Sequence, residues 1–132
     1  MRLVVDTSVL VAVVANEPTK AELIEITRGA SLFAPSSVHW EIGNAFAAML
    51  KRGRVKIGQV RRALAAYGEI PIRYLDVDLM DAMNLAAELK IYAYDAYVLA
   101  CAQAQHAPLV TLDRGLVRAA EQVDVDVIEV SS

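Results

Sequence analysis

Four carboxylates in this chain stand where an acid is costly. Asp6 closes a short apolar run, Leu3-Val4-Val5, and Asp113 closes another, Leu109-Val110-Thr111-Leu112. Glu41 lies three residues after Val38 and four before Ala45, on the edge of an apolar stripe at helical spacing. Asp95 repeats that pattern, with Val98, Leu99 and Ala102 three, four and seven residues on. A carboxylate partly withdrawn from water is unfavourable unless it is paired or bound to a cation. Oxygen-only ligands suit Mg²⁺ or Mn²⁺, and such ions serve hydrolysis at phosphorus. No Cys/His cluster is available for zinc, because His39 and His106 stand alone, and there is neither a Gly-rich phosphate loop nor a Gly-x-Ser-x-Gly elbow.

Taken singly, each acid has a plainer explanation. Asp6 could be a helix N-cap, although Thr7 or Ser8 could cap instead and leave Asp6 free; the two readings balance. Glu41 could snorkel off its stripe, with Asn44 one turn away to orient it. Asp95 could begin its own helix as a cap. Asp113 precedes Arg114-Gly115 and reads as a turn aspartate. Together the four gain weight. Two come from strand ends and two from the first turns of helices that follow strands, and in a parallel sheet all of these open on one rim, where ligands bind. Asp76 also ends a strand and is the reserve candidate. Asp78 and Asp81 read as capping of the next helix, and Asp124 and Asp126 as the border of the last strand.

Strands are predicted over residues 2–6, 31–34, 71–75, 109–112 and 125–130. Helices are predicted over 7–15, 19–28, 36–52, 56–67, 79–89, 94–105 and 116–121. The turn residues Pro18, Gly29, Pro35, Gly53 and Pro108 separate them. Ser36 or Ser37 is the expected cap of the long third helix, and Asp78 that of the fifth. Strands alternating with helices predict a mainly parallel sheet covered on both faces, in one domain over residues 1–132.

The hydrophobic fraction, 56%, exceeds the usual ~45–50%, as expected for a doubly covered sheet and for a surface that self-associates. Net charge is −3, so an overall basic footprint for nucleic acid is absent. The charge is uneven, however: Lys51, Arg52, Arg54, Lys56, Arg61 and Arg62 place six of the 13 basic residues in twelve positions. That segment is either a solvated helix end or a contact patch for a phosphate backbone. The single cysteine, Cys101, lies in an apolar run and reads as a buried small hydrophobe in a cytoplasmic protein. The apolar run 9–15 is far short of the ~20 residues that cross a bilayer, so no membrane association is expected.

Four segments, in this order and spacing, resemble the PIN domain, and within it the VapC toxin ribonucleases of type II toxin–antitoxin pairs. They are Val5-Asp6-Thr7-Ser8-Val9-Leu10, Glu41-Ile42-Gly43-Asn44-Ala45, Tyr94-Asp95-Ala96-Tyr97 and Leu109-Val110-Thr111-Leu112-Asp113. The resemblance covers essentially the whole chain. It implies a three-layer α/β/α fold with a mainly parallel four- to five-stranded sheet. It implies an acidic pocket of Asp6, Glu41, Asp95 and Asp113 that binds Mg²⁺ or Mn²⁺. Asp6 and Asp95 are the expected direct ligands, with Asp113 and Glu41 completing the shell or positioning water. Ser8, Asn44 and Thr111 match positions that support the acids. The implied activity is metal-dependent endoribonuclease action on RNA, with Lys51, Arg52, Arg54 and Lys56 as candidate RNA contacts. The implied partners are a second copy of the chain and a VapB-type antitoxin. The alternative is a catalytically silent PIN-like module that binds antitoxin or RNA. A phosphoacceptor receiver fits poorly, since no lysine follows Lys90, and a haloacid-dehalogenase phosphatase would carry an acid where Ser8 stands.

Overall fold

Short apolar runs build the centre of the molecule, and Leu3-Val4-Val5 and Leu109-Val110 among them are buried throughout. The computed structural model describes residues 1–131. In chain order they form β1 (Arg2–Val5), α1 (Thr7–Val14), α2 (Lys20–Thr27), β2 (Ser31–Pro35), α3 (Ser37–Lys51) and α4 (Ile57–Glu69). Then follow β3 (Ile72–Leu75), α5 (Leu79–Leu89), α6 (Ala93–Gln105), β4 (Leu109–Val110), α7 (Arg114–Gln122) and β5 (Val127–Ile128). The five strands are parallel in the order β3-β2-β1-β4-β5.

That order reverses at β1, which pairs with β2 on one side and β4 on the other. Such a reversal opens a crevice at the carboxyl ends of the two strands. Side chains alternate across the sheet. Leu3, Val5 and Ala34 face one core layer with α1, α3 and α4, and Val4 and Phe33 face the other with α5, α6 and α7. Three layers therefore arise from one buried sheet, as the sequence predicts. The apolar run 9–15 is α1, with Val9, Leu10, Val11, Ala12 and Val14 buried. Among the described residues no helix is long and apolar enough to cross a membrane. Cys101 is buried, and burial pushes its thiol up to about 11.

The last two strands are shorter than the sequence predicts. β4 stops at Val110 because Thr111 turns its hydroxyl onto Asp6 and leaves the ladder. β5 borders only β4, so its pairing extends no further than Leu109 and Val110 allow. Helix starts also differ. Asp6 caps α1, accepting from Val9 N at 3.2 Å, so Thr7 and Ser8 do not take that role. Ser36 occupies the cap position of α3 without a capping bond and donates instead to Asp76 Oδ1 at 3.0 Å. Asp78 caps α5 as predicted, accepting from Asp81 N at 2.9 Å. Tyr92, not Asp95, precedes α6.

Candidate active site

Asp6 leaves β1 at the crevice and is only 6% exposed. Its two oxygens are held by three donors, two from α1 and one from the residue that follows β4. Oδ1 accepts from Ser8 Oγ at 2.7 Å and from Val9 N, while Oδ2 accepts from Thr111 Oγ1 at 2.6 Å. Ser8 Oγ in turn accepts from Leu112 N at 3.0 Å, and Thr111 Oγ1 accepts from Asp113 N at 3.0 Å. The two hydroxyls thus lace the end of β4 to the end of β1. Burial raises the Asp6 pKa; the bonds from Ser8, Thr111 and Val9 oppose that shift, and the charge of Asp113 adds to it.

Asp113 is exposed at the start of α7, where its Oδ1 accepts from Gly115 N at 2.8 Å and Leu116 N at 3.2 Å. The turn role expected of it singly is that of a helix N-cap, and it coexists with a place beside Asp6. Asp95 lies in the first turn of α6, half-buried. Burial raises its pKa first, and Asp113 raises it further.

Glu41 projects from the second turn of α3. Burial lifts its carboxyl from the ordinary 4.5 to about 7; the Thr7 and Ser37 hydroxyls pull it down, while the charges of Asp6 and Asp95 push it up. Those hydroxyls lie close to Glu41 but do not close on it, for Glu41 Oε2, Thr7 Oγ1 and Ser37 Oγ are all buried with no hydrogen-bond partner. Buried polar atoms are nearly always satisfied by protein, water or an ion. Three orphans in one place mark a polar gap.

The four acids therefore form a ring of mutual repulsion: Asp6 with Asp113, Asp113 with Asp95, Asp95 with Glu41, and Glu41 with Asp6. Among the described residues the single ion pair, Arg28 to Glu25 at 2.8 Å, lies on the surface of α2, so no cation of the chain neutralises the ring. As they stand, no three His, Cys, Asp or Glu side chains among the described residues form a group able to hold a metal ion. Both oxygens of Asp6 and one of Asp113 are turned into hydrogen bonds, which explains the open arrangement. The donor chemistry nonetheless fits a hard cation. Mg²⁺ commonly uses one or two carboxylates and keeps its waters, and Glu41 Oε2 is an unpartnered oxygen beside the ring.

Of the supporting residues, Ser8 and Thr111 are placed on Asp6 as described. Asn44 is exposed and makes no hydrogen bond to Glu41. Thr7 and Ser37 were not legible as site residues, though Ser37 precedes Glu41 by four, the spacing of one helix face. Lys51, Arg52, Arg54 and Lys56 are exposed around the turn from α3 to α4. Ten residues of α3 separate Lys51 from Glu41, about 15 Å along the axis.

Comparison with known proteins agrees with this architecture. The PIN domain family profile matches residues 3–122. No curated protein matches the chain. Among solved structures, PAE2754 from Pyrobaculum aerophilum is 25% identical, over 90% of this chain and 87% of its own, with TM-score 0.70. VapBC2 from Rickettsia felis, solved with a DNA fragment from the promoter, is 17% identical over 99% and 100%, TM-score 0.73. VapBC-1 from nontypeable Haemophilus influenzae is 17% identical over 98% of both chains, TM-score 0.65.

Proposed function

The chain belongs to the PIN domain family, and on that premise we propose that it is a metal-dependent endoribonuclease, the toxin of a toxin–antitoxin pair. The observation that carries this reading is the uncompensated ring of Asp6, Glu41, Asp95 and Asp113 beside the unpartnered Glu41 Oε2. Asp6, Asp95 and Asp113 would hold Mg²⁺ or Mn²⁺. Bound there, the cation supplies charge that offsets the phosphate and makes water a better nucleophile near neutral pH.

The chain's own residues do the positioning. Ser8 and Thr111 fix the Asp6 carboxylate in one rotamer, so its oxygens need not reorganise during reaction. Glu41 Oε2, with Thr7 Oγ1 and Ser37 Oγ, orients a water in the polar gap. Lys51, Arg52, Arg54 and Lys56 meet the RNA backbone away from the scissile bond.

The partner reading is of the same rank. The Rickettsia felis and Haemophilus influenzae structures are VapBC complexes, and this supports an antitoxin partner here. A cleft of about 350 Å³ between α1 and α4 has Val14, Phe46 and Val60 in it and Lys20 and Arg62 beside them, chemistry suited to an amphipathic helix bearing acids. Exposed Met80 and Met83 on α5 support a homodimer. The site of action is the cytoplasm, where the RNA is.

The test is cleavage of end-labelled RNA by purified protein with Mg²⁺ or Mn²⁺, with EDTA, and with Asp6→Asn. Cleavage that needs the cation and Asp6 is expected. Cleavage by Asp6→Asn at the wild-type rate would overturn the assignment, and a folded, metal-supplied protein that cuts no RNA would favour the silent binding module.

A further inference from the structure

A second cavity lies next to the acidic ring, and Ser37 belongs to both. It measures about 270 Å³ and opens between the start of α3, the end of β3, the start of α5 and Tyr97 of α6. Leu75, Val77, Leu79 and the Tyr97 ring give it apolar walls, and Ser37 and Asp76 give it polar ones. Pockets for drug-sized molecules span ~300–1,000 Å³, so this one takes a single ring system rather than a whole nucleotide.

The polar groups define that ring. Asp76 Oδ1 accepts from Ser36 Oγ, which fixes the carboxylate; Oδ1 keeps a second lone pair and Oδ2 both of its own for a ligand. Ser37 Oγ is buried with no partner, an unsatisfied group on the wall between cavity and acid ring. An ionised carboxylate only accepts hydrogen bonds, so its ligand must present donors. Ser37 lines the cavity and its hydroxyl lies beside Glu41, so the cavity borders the acidic ring through this residue.

We propose that this cavity binds the base of a nucleotide flanking the scissile phosphate, and that Asp76 selects guanine there. The inference rests on the ribonuclease reading above. Guanine presents N1–H and N2–H₂ side by side, matching the two acceptor oxygens of one carboxylate. Adenine and cytosine offer one amino group to it, and uracil one imide N–H. Tyr97 and Leu79 supply the faces against which a base unstacked from its neighbours rests. Asp76 ends a strand at the rim without joining the acid ring, and base selection gives it a role there.

The experiment titrates guanosine 5′-monophosphate and uridine 5′-monophosphate into the intact protein in EDTA, following the amide signals of Ser37, Asp76 and Leu79 by NMR. Guanosine monophosphate should shift these signals and bind about 10-fold tighter than uridine monophosphate, the size of one bidentate base contact. Asp76→Asn should erase that preference, and Leu79→Trp, which fills the cavity from an exposed position, should abolish both. Equal binding of the two nucleotides, binding that Leu79→Trp leaves intact, or no shift at these residues overturns the proposal. If RNA is cleaved while guanosine monophosphate leaves the cavity signals unmoved, the base pocket falls alone. If the signals shift as expected but no RNA is cut, the nuclease reading falls instead.

Discussion

Thr111 and Asp6, 105 positions apart in the chain, are joined by a hydrogen bond of 2.6 Å from the threonine hydroxyl to the carboxylate. The same hydroxyl accepts from Asp113 N, so one oxygen ties two of the four acids together. Thr111→Val keeps the shape and removes both bonds. It should destabilise the fold by about 1–3 kcal/mol, the cost of leaving buried polar groups unpaired, and should lower cleavage. Thr111→Ser should restore most of both. Urea unfolding and cleavage rates on the three proteins check this; a valine variant as stable as wild type would mean that the bond contributes nothing.

Asp95 is half-buried and repelled by Asp113 without any hydrogen bond to offset it. Asp95→Asn removes a charge that folding disfavours, so the variant should melt no lower than wild type in EDTA. Its cleavage should nevertheless fall by at least about 100-fold, since loss of even an outer partner of a metal site costs about 10–100-fold. Stability and activity moving in opposite directions is the outcome to look for in paired melting and cleavage measurements.

Glu41 gives a pH dependence with a definite sign. Folding raises its carboxyl from 4.5 to about 7, so the folded state holds this proton more tightly than the unfolded one. Stability of the metal-free protein should therefore fall as pH rises from about 4.5 to about 7, with the loss complete above that. Asp6 and Asp95, also raised, act in the same direction from 3.8 upward. Glu41→Gln should flatten the decline, and Mg²⁺ should stabilise most above pH 7, where the ring is fully charged. Melting temperatures between pH 5 and 8, with EDTA and with Mg²⁺, read all three effects.

The basic turn carries a prediction in salt. If Lys51 and Arg54 each meet one phosphate, Lys51→Ala and Arg54→Ala should each reduce the slope of log affinity against log salt by roughly 1. RNA binding by the Asp6→Asn protein, measured from low to moderate salt, gives that slope without turnover. An unchanged slope would return the segment to a solvated helix end.

The fold was legible because its signals are local and redundant. Leu3-Val4-Val5 reads as a central strand and is one, Gly29 and Gly53 take positive φ at the ends of α2 and α3, and Asp78 caps α5 in a spacing the sequence shows. The acid ring was legible as chemistry out of place: Glu41 and Asp95 interrupt stripes that should be apolar. What sequence could not supply is the competition for each oxygen. Asp6 and Asp113 both turned out to be caps as well as members of the acidic ring, because a helix N-terminus and an anionic rim are the same place in this topology. Asn44 shares helical spacing with Glu41 but faces water, since a few tens of degrees of helix rotation decide which neighbour reaches across. Ser36, with a cap's position, spends its hydroxyl on Asp76 across 40 residues, a contact no local rule encodes.

The strand at the centre of the sheet is the first one made, and its carboxyl-end partner arrives more than a hundred residues later. Asp6 precedes its anchor Thr111 by 105 residues, and its neighbour Asp113 lies further on still. Proper assembly of the acidic ring is thus delayed by topology itself. The ring therefore closes only when the crossover that brings β4 beside β1 has been made.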